Sequence, residues 1–313
     1  MRRIIDGIDR DVWGFNPLSY VIAIGRSGLA LAQLVVLIFT PAPYLFVPIF
    51  GQGDPLICNK SLDAVSIYCV GDKAISIGAA HVILIACFLI VASGLLPRYT
   101  SILHFWATFS LSNAVTLPDG GDTVVQFASL FLVFICLPDG RLWQWSKRPV
   151  RSQGSFAAAL RGISWGAHWA LRVQMAYIYI HSAMAKLSVE NWSEGSAIYY
   201  IIRGDFFGTG NILQGLALAI TGVPIFALAL TWGTILSESF ISLSCIAKNA
   251  TFQFTGFTVS LLLHLGIIAF LGLWSFGTIM IFSVLLATSR GVSSTIFRLK
   301  SARSLESKIL ASS

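Results

Sequence analysis

The sequence predicts an all-α fold: a polytopic bundle of transmembrane helices with about eight spans. Of the 313 residues, 56% are apolar and only 11% are charged. A soluble domain carries about a quarter charged residues and has too little interior to hide so much apolar surface. The apolar residues also gather into runs of about 20, the length a helix needs to cross the hydrocarbon core with its backbone groups paired internally. The charges lie almost entirely between and after those runs. Together these observations exclude a water-soluble enzyme, a nucleic-acid-binding module and a disordered chain, so the net charge of +7 needs another explanation.

The first span is expected over about Ser19–Phe39 and the second over about Ile75–Leu96, stopped by Pro97 and Arg98. A short third span covers about Ser101–Leu117 and ends at Pro118-Asp119-Gly120-Gly121. The fourth, about Thr123–Leu137, closes at Pro138-Asp139-Gly140, with Asp122 placed as its N-cap. The fifth, about Gly162–Lys186, is unusually polar. Ile212–Leu243 makes the sixth, with a break expected at Thr221-Gly222-Val223-Pro224. Phe254–Thr288 is too long for one crossing and is divided near Gly272 into a hairpin. This gives a short N-terminal segment (1–18), one membrane domain (19–289) with an outer loop (40–74), and a basic, Ser-rich solvated tail (290–313).

Orientation follows from Lys and Arg, which concentrate in cytoplasmic loops. With the N-terminus inside, fifteen basic residues fall inside and four outside, namely Lys60, Lys73, Lys186 and Arg203. Both termini are basic, so both are expected to be cytoplasmic, and an even count is favoured over seven spans. The first apolar run lacks a small-residue cleavage site and is expected to remain as a membrane helix.

Cys87, Cys136 and Cys245 lie in or beside apolar spans, where a thiol acts as a small hydrophobe. Cys58 and Cys69 share the outer loop, where either a disulfide or two free thiols fits the spacing; closure would contribute roughly 2–3 kcal/mol.

Charged groups inside a span are costly and raise a functional hypothesis by default. On the fifth span His168, Arg172, Tyr179 and Lys186 fall within about 40° of one line at 100° per residue, while Gln174 and His181 lie on nearly the opposite face. Arg172 is expected to take an internal acid or helix-end carbonyls. Lys186 has two readings: it snorkels to headgroups, or it sits in a partly dry pocket and acts as base or nucleophile. Glu238, deep in the sixth span, needs a cation, and Arg26 and Arg172 are the candidates for a structural ion pair. His81, His104 and His264 are read as core histidines, without the spacing of a metal site. The assigned sidedness puts Asp122 and Lys186 at one membrane face, where they could share a site.

The stretch from Gln174 to Tyr200, with Lys186 closing an aromatic-rich helix and Trp192-Ser-Glu-Gly195 after it, resembles the membrane domain shared with vitamin K-dependent gamma-carboxylases. Arg26 with Gly28, the turn before Thr123, and Leu263-His264-Leu265 fit the same domain. Within that wider family the chain resembles the bacterial sporulation-delaying-protein B group in its length, its two-cysteine outer loop and its Gly120-Gly121-Asp122 turn. The resemblance implies a bacterial inner-membrane protein that, with a small partner protein, matures or releases a secreted antimicrobial peptide. It further implies a catalytic Lys186, assisted by Asp122, in an outward-facing substrate cavity of Tyr179, His181, Trp192, Glu194, Gly195 and His264. A quinone-like lipid is the cofactor it would suggest, and the expected partners are membrane lipids and the peptide precursor, not nucleic acid. Asp122 stands where the carboxylase has a histidine, and no large outer domain follows, so glutamate carboxylation is not expected. The alternatives are a quinone-dependent carboxylase-like enzyme and a non-catalytic chaperone, immunity or translocation component.

Overall fold

The computed structural model describes residues 11–47, 65–70, 75–146, 154–204 and 212–310. Cys58, Lys60 and Lys73 of the outer loop, Lys147, Arg148 and Arg151, and the N-terminal arginines lie outside the described residues. Among the described residues all regular structure is helical, with one isolated bridge between Leu95 and Trp143. Residues 1–171 with 278–283 form one compact unit, and residues 172–277 with 284–313 form another.

The first unit contains α1 (Tyr20–Phe39), α2 (Ile77–Ser93), α3 (Pro97–Ala114), α4 (Gly120–Ile135) and the first half of α5 (Ser155–Leu187). Local signals set the helix ends. Ser19 and Ser76 accept from the backbone N–H groups of Ile22 and Ala79, three residues on, and so cap α1 and α2. Gly94, in the left-handed region at φ +84°, ends α2, whereas Pro97 begins α3. Proline suits the first turn of a helix, where its missing N–H would have had no partner, so the expected stop at Pro97 moves back three residues. Asp119, not Asp122, is the N-cap of α4. Its Oδ1 accepts from Asp122 N at 3.0 Å and Asp122 Oδ2 accepts from Asp119 N at 2.9 Å, a reciprocal capping box.

Leu34, Leu84, Phe88, Val91 and Leu111 pack the apolar core of this unit. Gly28 admits the ring of Phe282 where a Cβ would overlap it. Through the core runs a polar network centred on Arg26, which is 1% exposed. Its Nη1 donates to Gln144 Oε1 at 2.9 Å and to Val91 O at 3.3 Å, and its Nη2 donates to Thr100 Oγ1. Gln144 Nε2 in turn donates to Ser27 Oγ at 2.7 Å, and Ser27 Oγ to Ala92 O at 2.9 Å. The segment after α4 is thereby held against the α2–α3 turn, where Gln144 N also donates to Gly94 O at 2.9 Å. A bidentate Arg141–Asp139 pair, with bonds of 2.9 and 2.7 Å, stiffens that segment.

The second unit holds the rest of α5, then α6 (Glu190–Ser193), α7 (Ala197–Arg203), α8 (Ile212–Thr221), α9 (Pro224–Ile246), α10 (Ala250–Leu271), the ends of α11 (Trp274–Ala287) and α12 (Ser289–Leu310). Both anticipated breaks occur. Pro224 opens α9 after the Thr221–Val223 elbow, and Gly272 at φ +72° ends α10. Gly256 lets α10 approach α9 so closely that a Cβ would overlap Ser244, the small-residue contact favoured between membrane helices. The stretch after Ser289, expected as a solvated tail, is helical with a buried first turn: Ser289 and Val292 are buried, and Gly291 N donates to Gln253 Oε1 at 2.7 Å.

Helices α1, α9 and α10 are long and apolar enough to cross a membrane, and α11 with α12, bent by 76°, would add a fourth span; α2 and α4 are shorter apolar helices. This is a membrane protein. Arg26→Ala is expected to strip Gln144 and Thr100 of a charged donor, at about 1.5–3 kcal/mol per bond lost. The measurable outcome is a lower unfolding temperature in detergent, with maleimide reaching the buried thiols of Cys87 and Cys136.

Candidate active site

Three polar stations line the second half of α5 at seven-residue intervals, about 10 Å apart at 1.5 Å per residue. At the first, Arg172 Nε donates to Cys245 O and Nη2 to Ala247 O, both at 2.6 Å. A guanidinium at the carboxyl end of α9 answers carbonyls left without intrahelical partners and the negative end of the helix dipole. Of the two kinds of partner expected for Arg172, helix-end carbonyls are present. Gln253 Nε2 joins them, donating to Ala247 O at 2.6 Å.

At the second station the hydroxyl of Tyr179 lies 3.4 Å from both Ser260 Oγ and His264 Nε2 of α10, while His264 Nδ1 lies 2.8 Å from Ser260 O. All three side chains are buried. Phe276 packs against His264, with ring centroids 5.8 Å apart.

The third station carries the charges. Lys186 Nζ donates to both carboxylate oxygens of Glu238 at 2.8 Å and to Ser182 Oγ at 2.7 Å. Ser182 Oγ also donates to Glu238 Oε1 at 3.3 Å. The lysine side chain keeps 20% of its surface and the glutamate side chain 11%, so the pair is partly closed off but not sealed. Trp192 presents its ring 5.3 Å from Nζ, a cation–π contact that covers another side of the ammonium. The helical spacing of Ser182 and Lys186, four apart on α5, puts both on the face toward Glu238 of α9. A proton can pass between Nζ and the carboxylate here without moving net charge out of the pair.

Glu238 therefore takes Lys186 as its cation, where Arg26 or Arg172 was expected; Arg26 belongs to the first unit and Arg172 is engaged at the carboxyl end of α9. Ser182 was not anticipated, and its i+4 spacing from Lys186 is the signal that would have found it. His181 is exposed and stacks beside Tyr177, with centroids 5.6 Å apart, instead of joining Lys186. Asp122 lies in the first unit, in the first turn of α4, where it closes the capping box with Asp119.

After Trp192 the chain turns at Gly195, φ +83°, where a Cβ would overlap Leu228. This turn and the α8–α9 elbow border an open cavity of about 560 Å³ whose wall includes Glu194, Gly195, Tyr199, Thr221, Ile225 and Leu228. Of the residues expected to line a substrate cavity, Glu194 and Gly195 line this one, while Tyr179 and His264 lie together at the buried second station.

SdpB, the sporulation-delaying protein of Bacillus subtilis strain 168, is 23% identical over 284 residues, 91% of this chain and 85% of that protein. The similarity to SdpB is distant. YitO, an uncharacterized protein of the same strain, is 29% identical over 266 residues, 85% of this chain and 84% of that protein. No family model matches the chain, and no solved structure matches it.

Removing one partner of the Lys186–Glu238 pair strands the other's charge among apolar helices. Lys186→Met and Glu238→Leu are each expected to lower unfolding free energy by about 1–3 kcal/mol, and the double variant to recover most of that loss. Denaturant titration of the four proteins in one detergent measures the coupling.

Proposed function

We propose that this protein is a bacterial cell-membrane component of an antimicrobial-peptide system and acts in the maturation or release of a small secreted peptide. The Lys186–Glu238–Ser182 cluster is its acid–base group. One observation carries the reading: a lysine–carboxylate pair, partly open, joins the polar stripe of α5 to α9, a helix long and apolar enough to cross a membrane. Such a pair is costly in a membrane protein and marks a working site by default. The distant similarity to a sporulation-delaying protein over 91% of the chain supports the system to which it is assigned.

In this reading Glu238 takes the proton from Lys186, and the neutral amine so formed accepts a proton from a group of the peptide. Ser182 holds the carboxylate and the amine in register, and Trp192 limits water at Nζ. Eight spans follow if α1–α5, α8 with α9, α10 and α11 each cross, with both termini cytoplasmic and the Lys186 end of α5 outside. A Cys58–Cys69 disulfide would close the outer loop; among the described residues the free thiols are Cys87, Cys136 and Cys245, all buried.

At unchanged membrane abundance, Lys186→Met and Glu238→Gln are each expected to cut the amount of mature secreted peptide at least tenfold, as quantified by mass spectrometry. Full maturation in both variants would leave only a non-catalytic role. Single cysteines introduced near Asp122 and Glu194 are expected to react with an impermeant maleimide in whole cells, and one near Lys147 to stay unlabelled. The reverse pattern would invert the topology.

A further inference from the structure

We infer that the cavity between the Gly195 turn and the α8–α9 elbow binds an apolar peptide segment that carries a cation, either a free N-terminal amine or a basic side chain. This occupant rests on the peptide reading given under Proposed function, but the site itself is argued from its own walls.

The cavity is built by the backbone. Gly195 holds a left-handed turn with no space for a Cβ beside Leu228, and Pro224 starts α9 abruptly after the Gly222 elbow. Its volume of about 560 Å³ lies within the usual range of ligand pockets and suits a few residues of chain. Its apolar wall stands open: Ile225 is 61% exposed and Leu228 40%.

Among the described residues the one charged side chain on that wall is Glu194, and no ion pair neutralises it. Arg203 packs on two residues of the same wall, Tyr199 and Thr221, and its guanidinium is held there by main-chain and hydroxyl oxygens, not by Glu194. It donates to Leu218 O at 3.0 Å, to Tyr199 O at 3.1 Å and to Thr221 Oγ1 at 2.8 Å, and it lies 3.7 Å over the Tyr199 ring. An apolar pocket with one unpaired carboxylate complements a cation on an apolar stem. A fatty acid would bring its own anion to the same carboxylate, and phosphatidylethanolamine, which carries an ammonium, is the lipid arm of the test.

The test uses the full chain in maltoside detergent with Ile225→Cys as reporter, subtracting labelling of the parent protein. The probes are trileucine amide with a free α-amine and its N-acetylated form, scored by how far each slows maleimide labelling. The free amine is expected to protect at about two- to fivefold lower concentration than the acetylated peptide, the range of one solvent-accessible ion pair, and Glu194→Gln should abolish the difference. Equal protection by the two peptides, or a difference that survives Glu194→Gln, would overturn the inference. So would equal, Glu194-dependent protection by phosphatidylethanolamine in nanodiscs without peptide. Lys186→Met is expected to keep the amine selectivity while losing maturation, so failure of the pocket and failure of the acid–base site are separately visible.

Discussion

A charge on an apolar helix must find its partner inside the protein, because lipid supplies neither counter-ion nor hydrogen bond. Three cations in this chain meet that demand in three ways. Arg26 spreads its guanidinium over Gln144, Thr100 and the Val91 carbonyl. Arg172 takes the carbonyls at the end of α9. Lys186 takes a carboxylate and a hydroxyl. Each solution also ties together helices that apolar packing alone would leave free to slide.

The ties explain much of each unit. In the first, Arg26 is buried only if the segment after α4 returns to α1 with Gln144, so the Pro138-Asp139-Gly140 turn and the Asp139–Arg141 fork serve that return. In the second, Arg172 and Lys186 grip α9 near its end and its middle, and Ser242 Oγ donates to Ala176 O at 2.7 Å between them. Three attachments along one helix pair fix its register. The Arg172 and Ser242 attachments set the register in which Glu238 meets Lys186.

The three stations differ in what they can do. The guanidinium of Arg172 is spent on main-chain oxygens and does not exchange protons at ordinary pH. Tyr179, Ser260 and His264 are hydrogen-bonding groups closed into the interior. Only Lys186 and Glu238 combine opposite charge, short distance and residual access, which is why the proposed chemistry sits there. The cavity at Gly195 follows in the chain within ten residues, with its own unpaired carboxylate.

Most helix boundaries were legible because their causes are local. Run length, Pro224 and Gly272 act within a turn or two of the break they make. Where local signals compete, the reading slipped by a few residues: Gly94 ends α2 ahead of Pro97, and Asp119 outranks Asp122 as the cap of α4. Sequence alone also established that the protein is a membrane protein, and that α5 carries its polar stripe, since composition and 100° periodicity need no partner. Only the tertiary structure decided that Glu238 belongs to Lys186, that Ser182 completes the pair and that His181 stands apart. Partner choice depends on which turns of two helices meet, a distance between segments some fifty residues apart that no local pattern encodes.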